Sequence, residues 1–426
     1  MSKQLIFQLI NNRQRISFWV LIAIGFSIPL KPSINSFLLI LAFTVTASLY
    51  WSDLKKQLRE RVLYIPLMGF FILYLANFIL TPEAHTDRDT VNHLTLKIQF
   101  LIVPLIFIPL KFDQKQYFKI YIAFFISCLV IVLLSLTYGL SLVIKSNSLF
   151  YINESNQRAF YLHMGDLMRP YYIHPSYFSL YLVFLILVAL NYLHNWVDTK
   201  FKYFFIFCIF LFTLFIFLLS ARAALLSFFI CLITYFIVTL SEHSRVKVVT
   251  FVMFILFSFV LIGNLKYTRE RISLAYNALV SGPSLSETHS ANSRLLIWQA
   301  AFEVIKEKPV FGHGIVNRET PLFKEYAKIG FVRGIEFQYN SHSEWLQLLI
   351  VFGIAGLLFF FFVLLFPLKK INSRNKKVFL LYLFFLILII INFTTESMLS
   401  VQKGVAFFSF FYCLIISMSY QSERSG

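Results

Sequence analysis

The chain has 426 residues, 58% of them hydrophobic and 14% charged, with 52 phenylalanines and a mean hydropathy of +0.74. Ordinary globular chains carry about 25% charged and ~45–50% apolar residues, so the composition excludes a soluble enzyme, a disulfide-stapled secreted domain and a disordered chain. The formal charge of +18 would indicate nucleic acid only if the basic residues gathered on one soluble face; here they punctuate apolar stretches, and the chain reads as an all-α polytopic membrane protein.

A helix needs about 20 apolar residues to cross roughly 30 Å of hydrocarbon. In chain order the qualifying stretches, about twelve on this criterion, are 16–30, 34–50, 62–80, 97–110, 117–144, 176–193, 201–219, 222–240, 247–263, 344–366, 377–392 and 404–420. Arg13 and Arg15 precede the first, but no small-x-small cleavage site follows it, so it is expected as a retained span. Pro104 and Pro109 fall in the fourth, where neighbouring helices can satisfy the freed carbonyls.

Short cytoplasmic loops are enriched in Lys and Arg. With the N-terminus inside, the inner segments hold 20 of the 38 basic residues, among them Lys55, Lys56, Arg59, Arg61 and the Lys369–Lys377 cluster. Of the remaining 18, 10 lie in one outer loop, 264–343. Both termini are therefore expected in the cytoplasm. The chain divides into spans one to nine (1–263), the long outer loop (264–343) and spans ten to twelve (344–426). Cys128, Cys208, Cys231 and Cys413 all fall in spans without paired spacing and read as buried hydrophobes.

The outer side carries the chemistry-bearing candidates. Arg222, in Leu219-Ser220-Ala221-Arg222, sits between two apolar spans at a depth where a charge marks a function or a buried partner; the alternative is an Arg snorkelling to headgroups. In the long loop, Asn292 to Lys308 predicts an amphipathic helix with Leu295, Trp298, Phe302 and Ile305 on its apolar face, Asn292 or Ser293 as N-cap, and Pro309, Gly312 and Gly314 past its end. Arg294 falls in the first turn, where a cation is unfavourable unless an anion joins it. Backbone N–H groups and an Arg fork suit a diphosphate; a solvated Arg is the plainer reading. His342, in Tyr339-Asn340-Ser341-His342-Ser343-Glu344-Trp345, could act as a general base at the bundle mouth or be an interfacial structural His. His174, before the sixth span, could bind a sugar or cap the helix. Asp87-Arg88-Asp89 has the look of a metal-holding acidic pair, or of solvated acids. Glu396 is a further possible acid or base. No nucleotide-binding loop and no His-Glu-x-x-His zinc helix occurs.

Arg294-x-x-x-Trp298, then Pro309-Val310-Phe311-Gly312-His313-Gly314, then Asn340-Ser341-His342 and Gly353-Ile354-Ala355-Gly356, with Ser220-Ala221-Arg222 upstream, together resemble the O-antigen ligase and polymerase family of bacterial envelope glycosyltransferases. The chain departs from that pattern at Ser343, where the family often has Asn. The resemblance implies a GT-C-like bundle in the bacterial inner membrane with its active site on the periplasmic face. It implies inverting transfer of a glycan from undecaprenyl diphosphate to a lipid A–core hydroxyl, with no metal and no cofactor. It implies His342 as base, Arg222 and Arg294 as diphosphate ligands, and His174, His313, Asn340 and Glu396 as possible acceptor or donor contacts. The expected partners are the lipid-linked glycan, the acceptor and membrane lipids, and not nucleic acid. An O-antigen, capsule or exopolysaccharide polymerase would have the same chemistry on another acceptor. A protein O-oligosaccharyltransferase ranks lower, since known ones often carry a C-terminal periplasmic extension and this chain stops at Gly426. A secondary transporter or flippase would place its charges at the bilayer midplane.

Overall fold

A computed structural model describes residues 3–148, 150–152, 158–160, 167–171, 173–193, 199–238, 266–285, 290–316, 318–371 and 376–422. These residues form α1 (Lys3–Ser27), α2 (Pro32–Glu60), α3 (Ile65–Leu80), α4 (Arg88–Lys97), α5 (Gln99–Phe107), α6 (Gln114–Ser146), α7 (Pro175–Leu193), α8 (Thr199–Leu219) and α9 (Arg222–Val238). There follow α10 (Lys266–Ser281), α11 (Ser290–Glu307), α12 (Thr320–Lys328), α13 (Val332–Glu336), α14 (Glu344–Leu365), α15 (Lys376–Thr395) and α16 (Gln402–Ser422). A small antiparallel hairpin, β1 (Phe150–Ile152) and β2 (Arg158–Phe160), pairs Tyr151 with Ala159.

Among the described residues, nine helices are long and apolar enough to cross a membrane. α4 and α5 act as one such span, Arg88–Phe107, which begins nine residues before the expected 97–110. α1 and α9 stand where two more spans are expected, and α9 is a shorter helix of 17 residues. The ninth expected span, 247–263, lies outside the described residues, as do Arg245, Lys247, Arg374 and Arg424 of the expected cytoplasmic basic set.

The chain forms two compact units, one from 1–127, 297–383 and 396–426 and the other from 128–296 and 384–395. In the first, lipid supplies no hydrophobic drive between helices, so packing and interhelical polar bonds must hold them. Phenylalanine does much of this: Phe70 meets Phe360 at 4.9 Å and Tyr74 edge-on at 5.3 Å, and Tyr74 meets Phe352 at 4.7 Å. Tyrosines tie helices through backbone carbonyls left over at bends, Tyr382 Oη to Leu364 at 2.7 Å and Tyr412 Oη to Val363 at 2.8 Å. Arg61, expected only to orient the chain, is buried, donates to the Phe107 carbonyl at 3.4 Å and lies over the Tyr420 ring. In the second unit, Asn392 joins α15 to α9 through Ser227 Oγ at 3.2 Å, and Phe178 packs edge-on against Phe215 at 5.9 Å. The four cysteines are buried free thiols.

α14 is broken. Gly353 adopts φ 62°, ψ −162° inside it, and the segment after α11 fills the gap. His313 and Gly314 N–H donate to the Ile350 and Val351 carbonyls at 2.7 and 2.9 Å, and Ile354 and Ala355 N–H donate to Pro309 and Val310 at 2.8 and 3.2 Å. A helix break inside hydrocarbon is tolerable only if its freed backbone groups are satisfied by protein, and these four bonds do so. The approach leaves no space for a side chain: a Cβ on Gly353 would lie 2.3 Å from the Val310 carbonyl, and one on Gly312 2.5 Å from that of Val351.

Candidate functional site

In the unit formed by 128–296 and 384–395, α8 ends at Leu219 and the chain reverses through Ser220, whose φ is +49°. A non-glycine residue in that conformation costs about 1–2 kcal/mol, offset here by local bonds. Ser220 N–H donates to the Ile216 and Phe217 carbonyls, and its Oγ donates to Phe217 O at 2.8 Å. The reversal makes Arg222 the first residue of α9, and its Nη2 donates to Ser290 Oγ at 3.1 Å. Ser290 opens α11, and Arg294, four residues on, shares its face of the helix. The two helix N-termini that carry the arginines are thereby joined. Neither has an acidic residue in its first turn. The partial positive charge of each terminus and two half-buried guanidinium forks make an arrangement suited to a multiply charged anion.

α11 begins two residues before the expected start, because Asn292 is engaged elsewhere than at an N-cap: its Oδ1 accepts from Ser284 N–H at 2.7 Å and its amide donates to the Ser284 carbonyl. The expected apolar face is also displaced. Leu296, Ile297, Ala300, Ala301 and Val304 are buried, while Phe302 is 53% exposed. The alanines permit close helix packing; of the expected face, Phe302 is turned outward and Leu295, Trp298 and Ile305 are half-buried.

His342 lies in the unit formed by 1–127, 297–383 and 396–426. It too has positive φ, +44°, held by its own N–H donating to Asn340 Oδ1 at 3.0 Å. Its ring meets Tyr339 edge-on at 5.5 Å, and its Nδ1 is 3.9 Å from Glu396 Oε2. The His342 side chain is 32% exposed and that of Glu396 8%: the histidine can meet a substrate, and the carboxylate stands behind it. Ser341, fully buried, has its Oγ 2.8 Å from both the Ser343 carbonyl and Gln347 Oε1, with its one proton available to either, and 3.1 Å from Ser397 Oγ. Ser343 caps α14, accepting from Leu346 N–H. Ser and Asn are interchangeable in that role, which gives the departure at this position a physical explanation.

His313 bonds through Nε2 to the Val304 carbonyl at 3.0 Å, near the C-terminus of α11, with Glu307 at 3.9 Å. Since a carbonyl only accepts, Nε2 carries the proton. His174 stands at the start of α7, its Nδ1 accepting from Ser176 N–H at 3.4 Å, the geometry of a helix-entry cap. Asp87 caps α4, accepting from Asp89 N–H, Thr90 N–H and the Thr90 hydroxyl. The Thr90 hydroxyl bond comes first among the influences that hold its carboxyl below the usual range, against a smaller opposing push from burial. Asp89 faces Arg318 Nη2 at 3.8 Å. No group of three or more metal-ligating side chains occurs among the described residues.

Two features escape sequence reasoning. Lys97 and Glu344 are buried charges that both engage the backbone of Leu399: Lys97 Nζ donates to its carbonyl, and its N–H donates to Glu344 Oε2 at 2.8 Å. Arg318 Nε lies 2.8 Å from Glu319 Oε1, and burial pushes the Glu319 carboxyl up while Arg318 draws it back. The signal in the sequence is the same for Lys97 as for Arg222, an ionisable residue at the edge of an apolar stretch.

Residues 207–361 match the family model described as O-antigen ligase. The matched segment contains Arg222, Arg294, His313, Asn340, His342, Glu344 and the Gly353 break, and leaves out Lys97, His174 and Glu396. The chain is also 25% identical over 135 residues to an uncharacterized protein of Haemophilus influenzae, covering 30% of this chain and 34% of that one. Through residues 207–361 this membrane protein is similar to the O-antigen ligase family.

Proposed function

We propose that this protein is an inner-membrane O-antigen ligase that transfers a glycan from undecaprenyl diphosphate to a hydroxyl of lipid A–core, on the periplasmic face, with inversion at the anomeric carbon. The full arrangement is twelve spans with both termini cytoplasmic and 264–343 outside. The observation that carries the reading is the link from Arg222 to Ser290, one turn from Arg294, within the segment that matches the family.

The acceptor oxygen attacks the anomeric carbon from the side opposite the diphosphate and gives its proton to His342 Nε2. The anomeric carbon–oxygen bond to the diphosphate breaks, and the electron pair leaves with the diphosphate. Charge develops on that leaving group, so guanidinium groups fixed beforehand in a poorly hydrated site stabilise it more in the transition state than in the ground state. Glu396, behind Nδ1, favours the tautomer with the proton on Nδ1 and the lone pair on Nε2.

Initial rates of purified protein with lipid-linked glycan and lipid A–core test the assignment. His342→Ala should cost ~10²–10⁴ in rate, the usual share of a general base; full activity in that variant would sink it. The lipopolysaccharide pattern of a deletion strain identifies the acceptor. Bare core with carrier-linked polymer retained fits a ligase, and core capped by a single repeat fits a polymerase.

A further inference from the structure

Lys97 and Glu344 have no part in the transfer as described, yet their exposures are 0% and 1%. Both belong to helices apolar enough to cross the membrane, where an ionisable group is costly and rarely idle. Each takes one side of a single residue's backbone. Lys97 Nζ donates to the Leu399 carbonyl, and Leu399 N–H donates to Glu344 Oε2 at 2.8 Å. The two charges also act on one another through space, and the ammonium lies over the Tyr74 and Phe100 rings at 5.1 and 5.7 Å. Buried ion pairs that only join helices can often be replaced by apolar residues at little cost. Concentrating both charges on one turn of backbone calls for another reason.

The position of that turn supplies one. Leu399 follows Glu396 by three residues, and Glu344 follows His342 by two. A second tie, Ser341 Oγ to Ser397 Oγ at 3.1 Å, joins the same two segments. His342 and Glu396 lie between the ties at 3.9 Å, with His342 in a backbone conformation that persists only when its surroundings enforce it.

Building on the reading of His342 as base, we infer that Lys97 and Glu344 are positioning residues. Their clamp on Leu399 fixes the turn that carries Glu396 against the segment that carries His342, and so sets the orientation of the base. The polarity of the clamp matters. An ammonium can only donate and a carboxylate can only accept, so exchanging the two would face a donor to the N–H and an acceptor to the carbonyl.

Initial rates with purified protein, undecaprenyl-diphosphate-linked glycan and acceptor provide the test. Glu344→Ala and Lys97→Met should each lower kcat by ~10–100-fold, the scale of a small misplacement of a catalytic group, with KM for the donor unchanged. Glu344→Gln keeps an acceptor for Leu399 N–H and should recover most of the loss, whereas the exchange Lys97→Glu with Glu344→Lys should recover none. In a Glu396→Gln background, Glu344→Ala should add no further loss, because the group it positions is already disabled. Additive losses in that background, or recovery in the exchanged pair, would overturn the inference in favour of charge balance or general packing. If Glu344→Ala does not fold, Glu344→Asp, one methylene too short, takes its place. An active His342→Ala would defeat the base assignment; an inactive His342→Ala beside a fully active Glu344→Ala would defeat the clamp alone.

Discussion

Two residues in left-handed backbone, Ser220 and His342, precede the helix starts that carry the candidate chemistry. Each reversal aims a side chain at the end of a helix instead of along its flank. Arg222 depends on this, since its Nη2 meets Ser290 only from the first position of α9. Arg222→Lys keeps the charge and loses the planar fork; transfer should fall by about 10–100-fold with the protein still folded, measured by initial rates beside thermal unfolding. Asp87 offers a prediction on stability. Its carboxyl titrates lower in the folded chain than in the unfolded one, so its contribution is complete above the unfolded value of about 4 and is lost as pH falls through the folded one. Asp87→Ala should cost about 1 kcal/mol near neutrality as a lost cap, and the gap in unfolding temperature from the parent should close in acid.

At the scale of elements, the break in α14 does most to organise the matched segment. The Pro309–Gly314 turn and the residues flanking the break at Gly353 exchange four backbone hydrogen bonds, which couples the end of α11 to the middle of α14. Gly353→Ala would place a Cβ 2.3 Å from the Val310 carbonyl at positive φ. A loss of about 2–5 kcal/mol is expected from strain and overpacking together, read as a lowered unfolding temperature in detergent. Such a break is hard to foresee, because Gly353-Ile354-Ala355-Gly356 also reads as an ordinary small-residue packing motif. The buried face of α11 departs from its apolar periodicity for a related reason. Periodicity finds which residues are apolar, but only packing decides whether Ala300 and Ala301 or Phe302 turn inward.

For the whole molecule, the proposed topology takes the charge of +18 chiefly as a matter of orientation, and it can be tested directly. The native cysteines are all buried, so background labelling should be low. A cysteine in place of Lys306 should react with an impermeant maleimide in intact spheroplasts, and one in place of Lys370 only after the membrane is opened. The reverse pattern would invert the proposed orientation.

Composition, apolar length and loop charge are enough to establish a predominantly helical membrane chain, though not the β1–β2 hairpin, because each depends on residue type and local order alone. Local order also singles out Arg222, as a charge at the edge of apolar runs, Arg294, as a cation in the first turn of a helix, and His342, as a titratable group where the chain re-enters an apolar span. Glu396 was visible only as an isolated acid 54 residues from its histidine, and Lys97 and Glu344 as charges 247 residues apart. Their meeting at one turn of backbone comes from helix packing across the fold. No spacing rule encodes such a meeting, so the support behind the candidate base was decided by tertiary structure.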